Sequence, residues 1–205
     1  MKKSNKSKVL LAGITAALLG VSTFSAVAAE SAASIAQKGL AALAKGVYST
    51  GPNGEKATAA SSLTFTPAEL KKLKGMNATA AIAFHLTSDW TSGQQAGLTK
   101  RFTELGIKIV GVTQADFKAD VQVSQIQTLM AKKPNILVSI PVDGQATAEA
   151  YKAAAAAGAK IVFMDNTAAG LTVGKDYVSV VSADNYANGA ASAYLLGREL
   201  NGKGT

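Results

Sequence analysis

The feature that most constrains this chain is periodic. From Ala78 onward, short continuous apolar runs recur at near-constant intervals: Thr79–Phe84 (TAAIAF), 107–112 (IKIVGV), 135–140 (NILVSI) and Lys160–Met164 (KIVFM). The first three begin 28 residues apart and the fourth follows after 25. Runs that are apolar at successive positions, rather than at alternate ones, suit strands covered on both faces. Between them lie segments of helical character, about 92–105, 118–132 and 144–157. In the second, Val123, Ile126, Leu129 and Met130 fall on one stripe at helical spacing. Gly106 and Gly158 follow the first and third helices, where a C-terminal glycine is expected, and Pro134 stops the second. A fifth run, 177–181, leads to a last helix over about 184–200. This alternation predicts an α/β fold: a parallel, doubly wound sheet with helices on both faces.

In such sheets ligands bind beyond the carboxyl ends of the strands. Five loops are therefore candidates: 85–91, 111–117, 141–143, 165–167 and 182–185. The first carries Ser88, Asp89, Trp90 and Thr91, with Trp90 the only tryptophan of the chain. A flat aromatic face covers the C–H face of a sugar ring, while hydroxyls and a carboxylate take its O–H groups. The alternative is that Trp90 caps the core and Thr91 or Ser92 caps the helix; a loop position at a strand end favours ligand contact. After the fourth run stand Asp165 and Asn166. A carboxylate there can accept two hydrogen bonds from vicinal hydroxyls, and an amide both donates and accepts. The alternative for Asp165 is to tie down its own turn.

Four further residues are weaker candidates. Asp143 precedes Gly144 and a helix, which suits an N-cap. Asp184 and Asn185 open the last helix, with capping and ligand contact both open. His85 is the sole histidine and has no set of metal-ligating partners around it, so a structural role is expected. The spacing Gly93-x-x-x-Gly97 is expected to let the first helix approach the sheet.

What is missing narrows the chemistry. No G-x-G-x-x-G follows a strand, and there is no P-loop, no G-x-S-x-G and no H-E-x-x-H. There are no cysteines, which excludes disulfides, thiolate catalysis and a lipid anchor on an N-terminal cysteine. The expectation is a non-enzyme without cofactor or catalytic metal. The formal charge is +8, but Lys2, Lys3, Lys6 and Lys8 supply four of those charges, leaving +4 over the rest. No basic stripe remains, and nucleic acid is not an expected partner.

The lysines belong to a tripartite start: a basic segment, the apolar run 9–21 of 13 residues, and Ala26-Val27-Ala28. A spanning helix needs about 20 apolar residues, so residues 1–28 read as a signal peptide cut after Ala28, with the mature protein in a periplasm. Residues 29–76 form an N-terminal extension of unassigned role. In it, Ala32–Leu43 suits a short helix and Gly51-Pro52-Asn53-Gly54 a turn. Thr66-Pro67-Ala68-Glu69 suits a capping box before a helix over 69–74.

From Ala78 to the end, the chain resembles the N-terminal lobe of ribose-type (type I) periplasmic sugar-binding proteins. The resemblance rests on 86–106 (LTSDWTSGQQAGLTKRFTELG), 141–143, 163–166 (FMDN) and 178–189 (VSVVSADNYANG). It implies the first lobe of a two-lobed fold over 77–181, with 182–205 the start of an incomplete, truncated second lobe. It also implies a monomer that captures a sugar or polyol and presents it to the membrane subunits of an ABC importer. The family's ring-contacting positions fall on Ser88, Trp90 and Thr91, its acidic residue on Asp165 and the adjacent position on Asn166. The ribose pattern has Asn-Pro-Phe-Phe where Ser-Asp-Trp-Thr stands here, Arg where Asn166 stands, and Asn where Ile140 stands. Those departures turn the expectation away from ribose itself. A regulator of the same fold would begin with a helix-turn-helix rather than a signal peptide; a sensing partner for a chemoreceptor or kinase stays open. Half a cleft should hold its ligand weakly, so micromolar binding by residues 29–205 alone would contradict this reading.

Overall fold

The structure, a computed structural model, describes residues 30–204. The expected signal peptide, residues 1–28, lies outside the described residues. The described elements run α1 (Ala32–Leu43), α2 (Pro67–Gly75), β1 (Thr79–Phe84), α3 (Asp89–Glu104), β2 (Lys108–Gln114), α4 (Ala119–Met130), β3 (Ile136–Ser139), α5 (Ala148–Ala156), β4 (Lys160–Met164), β5 (Ser179–Val181) and α6 (Asn185–Glu199). Among the described residues no helix is long and apolar enough to cross a membrane.

The five strands form one sheet in the order β2-β1-β3-β4-β5, and all neighbours are parallel. The chain moves from β1 outward to β2, then returns across β1 to β3 and continues the other way. Crossovers of one hand that travel in opposite directions put their helices on opposite faces. Accordingly Leu98 and Phe102 of α3 pack against Ile82, Phe84, Val138, Ile140 and Met164. Ile126 and Leu129 of α4 and Tyr151 and Ala154 of α5 pack on the other face, against Ala81, Ala83, Leu137, Ile161 and Phe163. Successive residues of a strand point to opposite faces, so β1 buries every residue after Thr79. The continuous apolar run in the sequence has this cause.

Local chemistry sets the element ends. Gly106 and Gly158 adopt φ of 72° and 95°, the left-handed conformation that closes a helix. Thr66 and Glu69 form the expected capping box of α2, whose Leu70 and Leu73 cover Ala80, Leu105 and Ile107. The Gly93/Gly97 expectation is corrected: a methyl group built on either glycine would meet nothing within 4 Å. Leu98 and Phe102 make the contact with the sheet instead. Helix α5 begins at Ala148 rather than near Gly144. Asp143 does cap, but it caps the preceding turn, where its Oδ1 accepts the Gln145 and Ala146 N–H groups at 2.8 and 2.7 Å.

One buried polar residue is tied to the carboxyl edge of the sheet. Gln122 of α4 is fully buried and sits at the foot of the β3–α5 loop. Its Nε2 donates to the Ile140 carbonyl at 2.8 Å, and its Oε1 accepts the Val142 N–H at 2.7 Å. Both backbone groups would be stranded in a dry environment by an apolar replacement. Gln122→Leu is therefore expected to lower stability by about 2–4 kcal/mol despite its similar size. Urea unfolding followed by far-ultraviolet circular dichroism measures it.

Candidate functional site

The carboxyl ends of β1, β4 and β5 enclose an open cavity of about 640 Å3. β1 and the start of α3 supply His85, Trp90 and Gln94; β4 supplies Met164 and Asp165; β5 and the start of α6 supply Ser182, Asn185 and Asn188. Two helices thus present their amino-terminal turns to one space, and their partial positive charge partly offsets the Asp165 carboxylate.

Each wall has a local reason. On the β1 side the chain turns into α3 through a reciprocal cap between Ser88 and Thr91. Ser88 Oγ accepts the Thr91 N–H at 3.2 Å, and Thr91 Oγ1 accepts the Ser88 N–H at 2.8 Å. Helix α3 therefore starts three residues before the sequence-based estimate, and Trp90 lies in its first turn. The ring is half-exposed and meets His85 edge-on, with centroids 6.4 Å apart and an interplanar angle of 73°. His85 also meets Phe117 edge-on at 5.2 Å. Burial among these rings pushes the His85 pKa below its ordinary value, and the Asp165 charge pulls it partly back.

On the β4 side Asp165 takes φ 65°, which places its carboxylate over the end of the sheet. Its N–H donates to the Val181 carbonyl at 2.9 Å, tying the turn to β5. Its Oδ1 receives long hydrogen bonds from Ser182 Oγ at 3.3 Å and Asn185 Nδ2 at 3.4 Å. Among the described residues no donor reaches Oδ2. Such a carboxylate is held in place yet keeps acceptor capacity.

The sequence candidates divide. Trp90 and Asp165 line the same cavity. Asp89 is exposed at the start of α3 and does not line it, and Asn166 turns its amide to the Pro141 carbonyl at 3.5 Å. The expectation for Ser88 and Thr91 is corrected in part, because their side chains are engaged in the helix cap. Thr91, only 1% exposed, is withdrawn from the cavity wall. Asp184 proves to be a cap as well, accepting the Ala187 N–H at 3.0 Å, while its neighbour Asn185 lines the cavity. His85, expected to be structural, also lines the cavity, as does Ser182 of the candidate loop 182–185, while Gln94 and Asn188 lie outside the five candidate loops. Helical spacing carries a signal for two of them: Gln94 lies one turn beyond Trp90, and Asn188 three residues beyond Asn185. Among the described residues no cluster of His, Cys, Asp and Glu could hold a metal ion.

A family model described as a periplasmic binding protein domain matches residues 80–205, more than half of the chain. The chain belongs to this family. Periplasmic binding protein domains are binding modules rather than enzymes, and membership implies a place in the periplasm or outside the cell. The fold is similar to that of the Caulobacter myo-inositol binding protein bound to myo-inositol (22% identity, TM-score 0.53, covering 60% of this chain and 40% of that one). It is also similar to an Agrobacterium vitis ABC transporter solute binding protein bound with alpha-D-tagatopyranose (24%, 0.53, covering 58% and 43%). A third similar structure is a sugar ABC transporter sugar-binding protein from Bacillus halodurans (21%, 0.55, covering 62% and 43%). The chain spans less than half the length of these structures. No curated protein matches it.

A histidine with a lowered pKa makes stability pH-dependent. Its contribution is fully present above the ordinary value of about 6.5 and is lost as the pH falls through the folded value, because the unfolded chain then binds more protons. The melting temperature is expected to fall between pH 7.5 and pH 5, and to fall less in His85→Gln. Differential scanning calorimetry across that range checks the sign.

Proposed function

We propose that this chain is the ligand-capturing N-terminal part of an exported periplasmic protein that binds a sugar or polyol for an ABC-type importer. The observation that carries the reading is the meeting of Trp90 and Asp165 across one cavity at the carboxyl edge of the sheet. The indole face covers a ring's C–H surface, and the Asp165 carboxylate accepts its hydroxyl protons. Asn185, Asn188 and Gln94 add amides that both donate and accept, the mixed lining a polyhydroxylated ligand requires. Asp89, Asn166 and Ser88 lie at the margin of this space and supply secondary contacts. Export by residues 1–28 with cleavage after Ala28, a periplasmic location and a monomeric state complete the reading.

A second reading has a specific support. One similar structure is the fructose binding periplasmic domain of a hybrid two-component system (16% identity, TM-score 0.54, covering 62% of this chain and 41% of that one). The same cavity can therefore serve sensing rather than uptake. Loss of radiolabelled sugar uptake in a deletion strain separates import from a loss of transcriptional response.

The binding reading is tested by thermal shift on the complete mature protein with pentoses, hexoses and polyols. A ligand at about a hundred times its Kd adds about 2.7 kcal/mol to the native state, or about 5–10 °C in Tm. One sugar or polyol is expected to give such a shift, and Trp90→Ala and Asp165→Asn are each expected to abolish it. A shift that survives both substitutions would place the ligand elsewhere.

A further inference from the structure

The N-terminal extension has no assigned role, yet it reaches the edge of the candidate site. We propose that residues 32–56 form a strap that positions this site, with Ser49 as the positioning residue that holds Asn185 beside Asp165. The proposal rests on the reading of the cavity as a ligand site.

The strap touches α6 along its length. Helix α1 lies against α6, and Gly39 allows the contact: a Cβ there would fall 2.3–2.5 Å from the Tyr194 ring. The Tyr48 and Tyr186 rings stack at 6.1 Å. Between these contacts the strap grips the start of α6. Asp184 accepts the Tyr48 N–H at 2.6 Å, the Ser49 N–H at 3.0 Å and the Ser49 hydroxyl at 2.8 Å. The Ser49 oxygen in turn accepts the Tyr186 N–H at 3.2 Å. Asp184 needs only the Ala187 N–H to cap its own helix. The three further donors come from residues more than a hundred positions away; the Tyr48 N–H foremost, then the Ala187 N–H of the cap, then Ser49, hold its carboxyl below the ordinary aspartate range.

Past Ser49 the strap closes on itself. The Gly51 N–H donates to the Glu55 carbonyl at 2.7 Å, and Asn53 and Glu55 lie beside Tyr177. Tyr177 precedes β5 and Asp184 follows it, so the strap braces both ends of the shortest strand. Asn185 is the next residue after the gripped aspartate. Its Nδ2 donates to Asp165 Oδ1 at 3.4 Å and to Ser182 Oγ at 3.2 Å. Those bonds are long, and Ser182, Asn185 and Asp165 are all exposed. They cannot fix the Asn185 amide alone; the buttress behind it does.

The test uses ligand-free, isotope-labelled protein of full length and NMR. Ser49→Ala is expected to raise hydrogen exchange about tenfold at the Tyr186 amide, which loses its acceptor. It is also expected to shift the Asn185 side-chain amide resonance. Ser49→Thr keeps the hydroxyl and should restore both. Gly39→Val, at the far end of the strap, should reproduce the Ser49→Ala result by displacing Tyr194. Unchanged exchange in both Ser49→Ala and Gly39→Val would overturn the strap. Faster exchange with an unmoved Asn185 amide would overturn the positioning role. A parallel titration with D-ribose, D-fructose and myo-inositol keeps the two readings apart. If none binds the parent protein, the sugar-site reading fails, while the amide measurements still decide the strap.

Discussion

Parallel pairing governs the rest of this molecule. Strands that all run one way cannot be joined by tight turns, so each connection must cross the sheet as a helix. Every strand therefore ends on the same edge, and every strand-to-helix loop gathers there. The cavity bounded by Trp90, Asp165 and Asn185 is the product of that gathering rather than of any one motif. The central position of β1 adds the second ingredient. Because the order β2-β1-β3 reverses the direction of travel, helices α3 and α4 leave on opposite faces, and the loop after β1 is left uncovered.

Much of this frame was legible in the residues. The runs at 79, 107, 135 and 160 mark the four longer strands, with β2 running two residues past its run, because burial on both faces leaves no polar alternation to confuse the signal. Gly106, Gly158 and the Thr66–Glu69 box mark helix ends through backbone chemistry that acts within a few residues. The misreadings arise where a long-range or competing interaction decides. Ser88 and Thr91 resemble ligand hydroxyls in sequence, but their reciprocal bonds make them the first cap of α3. Gln122, a polar side chain on a largely apolar helix face, carries no local signal of its role, because two backbone groups of the next strand-end loop claim its amide. For the site, one member of each opposing wall was legible, Trp90 and Asp165. The residues between them owe their place to the juxtaposition of β4 with β5.

The extension before β1 makes the same point at larger scale. Its helix, turn and capping box follow from local sequence and appear where expected. Nothing in that stretch announces that Tyr48 and Ser49 would meet an aspartate 135 or more residues later. Small residues are the enabling feature: Gly39 and the alanines around it make α1 thin enough for a tyrosine ring to lie on it.

The backbone at Asp165 carries a consequence for how the lining of this cavity can change over generations. At φ 65° the residue occupies a region that only glycine, asparagine and aspartate visit without a steric cost of about 1–2 kcal/mol. Drift at this position is thereby channelled. An acid can become an amide, exchanging pure acceptance for mixed donation, or be lost to glycine, while longer acids and bulky groups meet a folding penalty before any ligand is tested. Variation in the cavity lining is steered to the flanking helices, where Gln94, Asn185 and Asn188 stand on ordinary helical backbone and can change without disturbing the sheet.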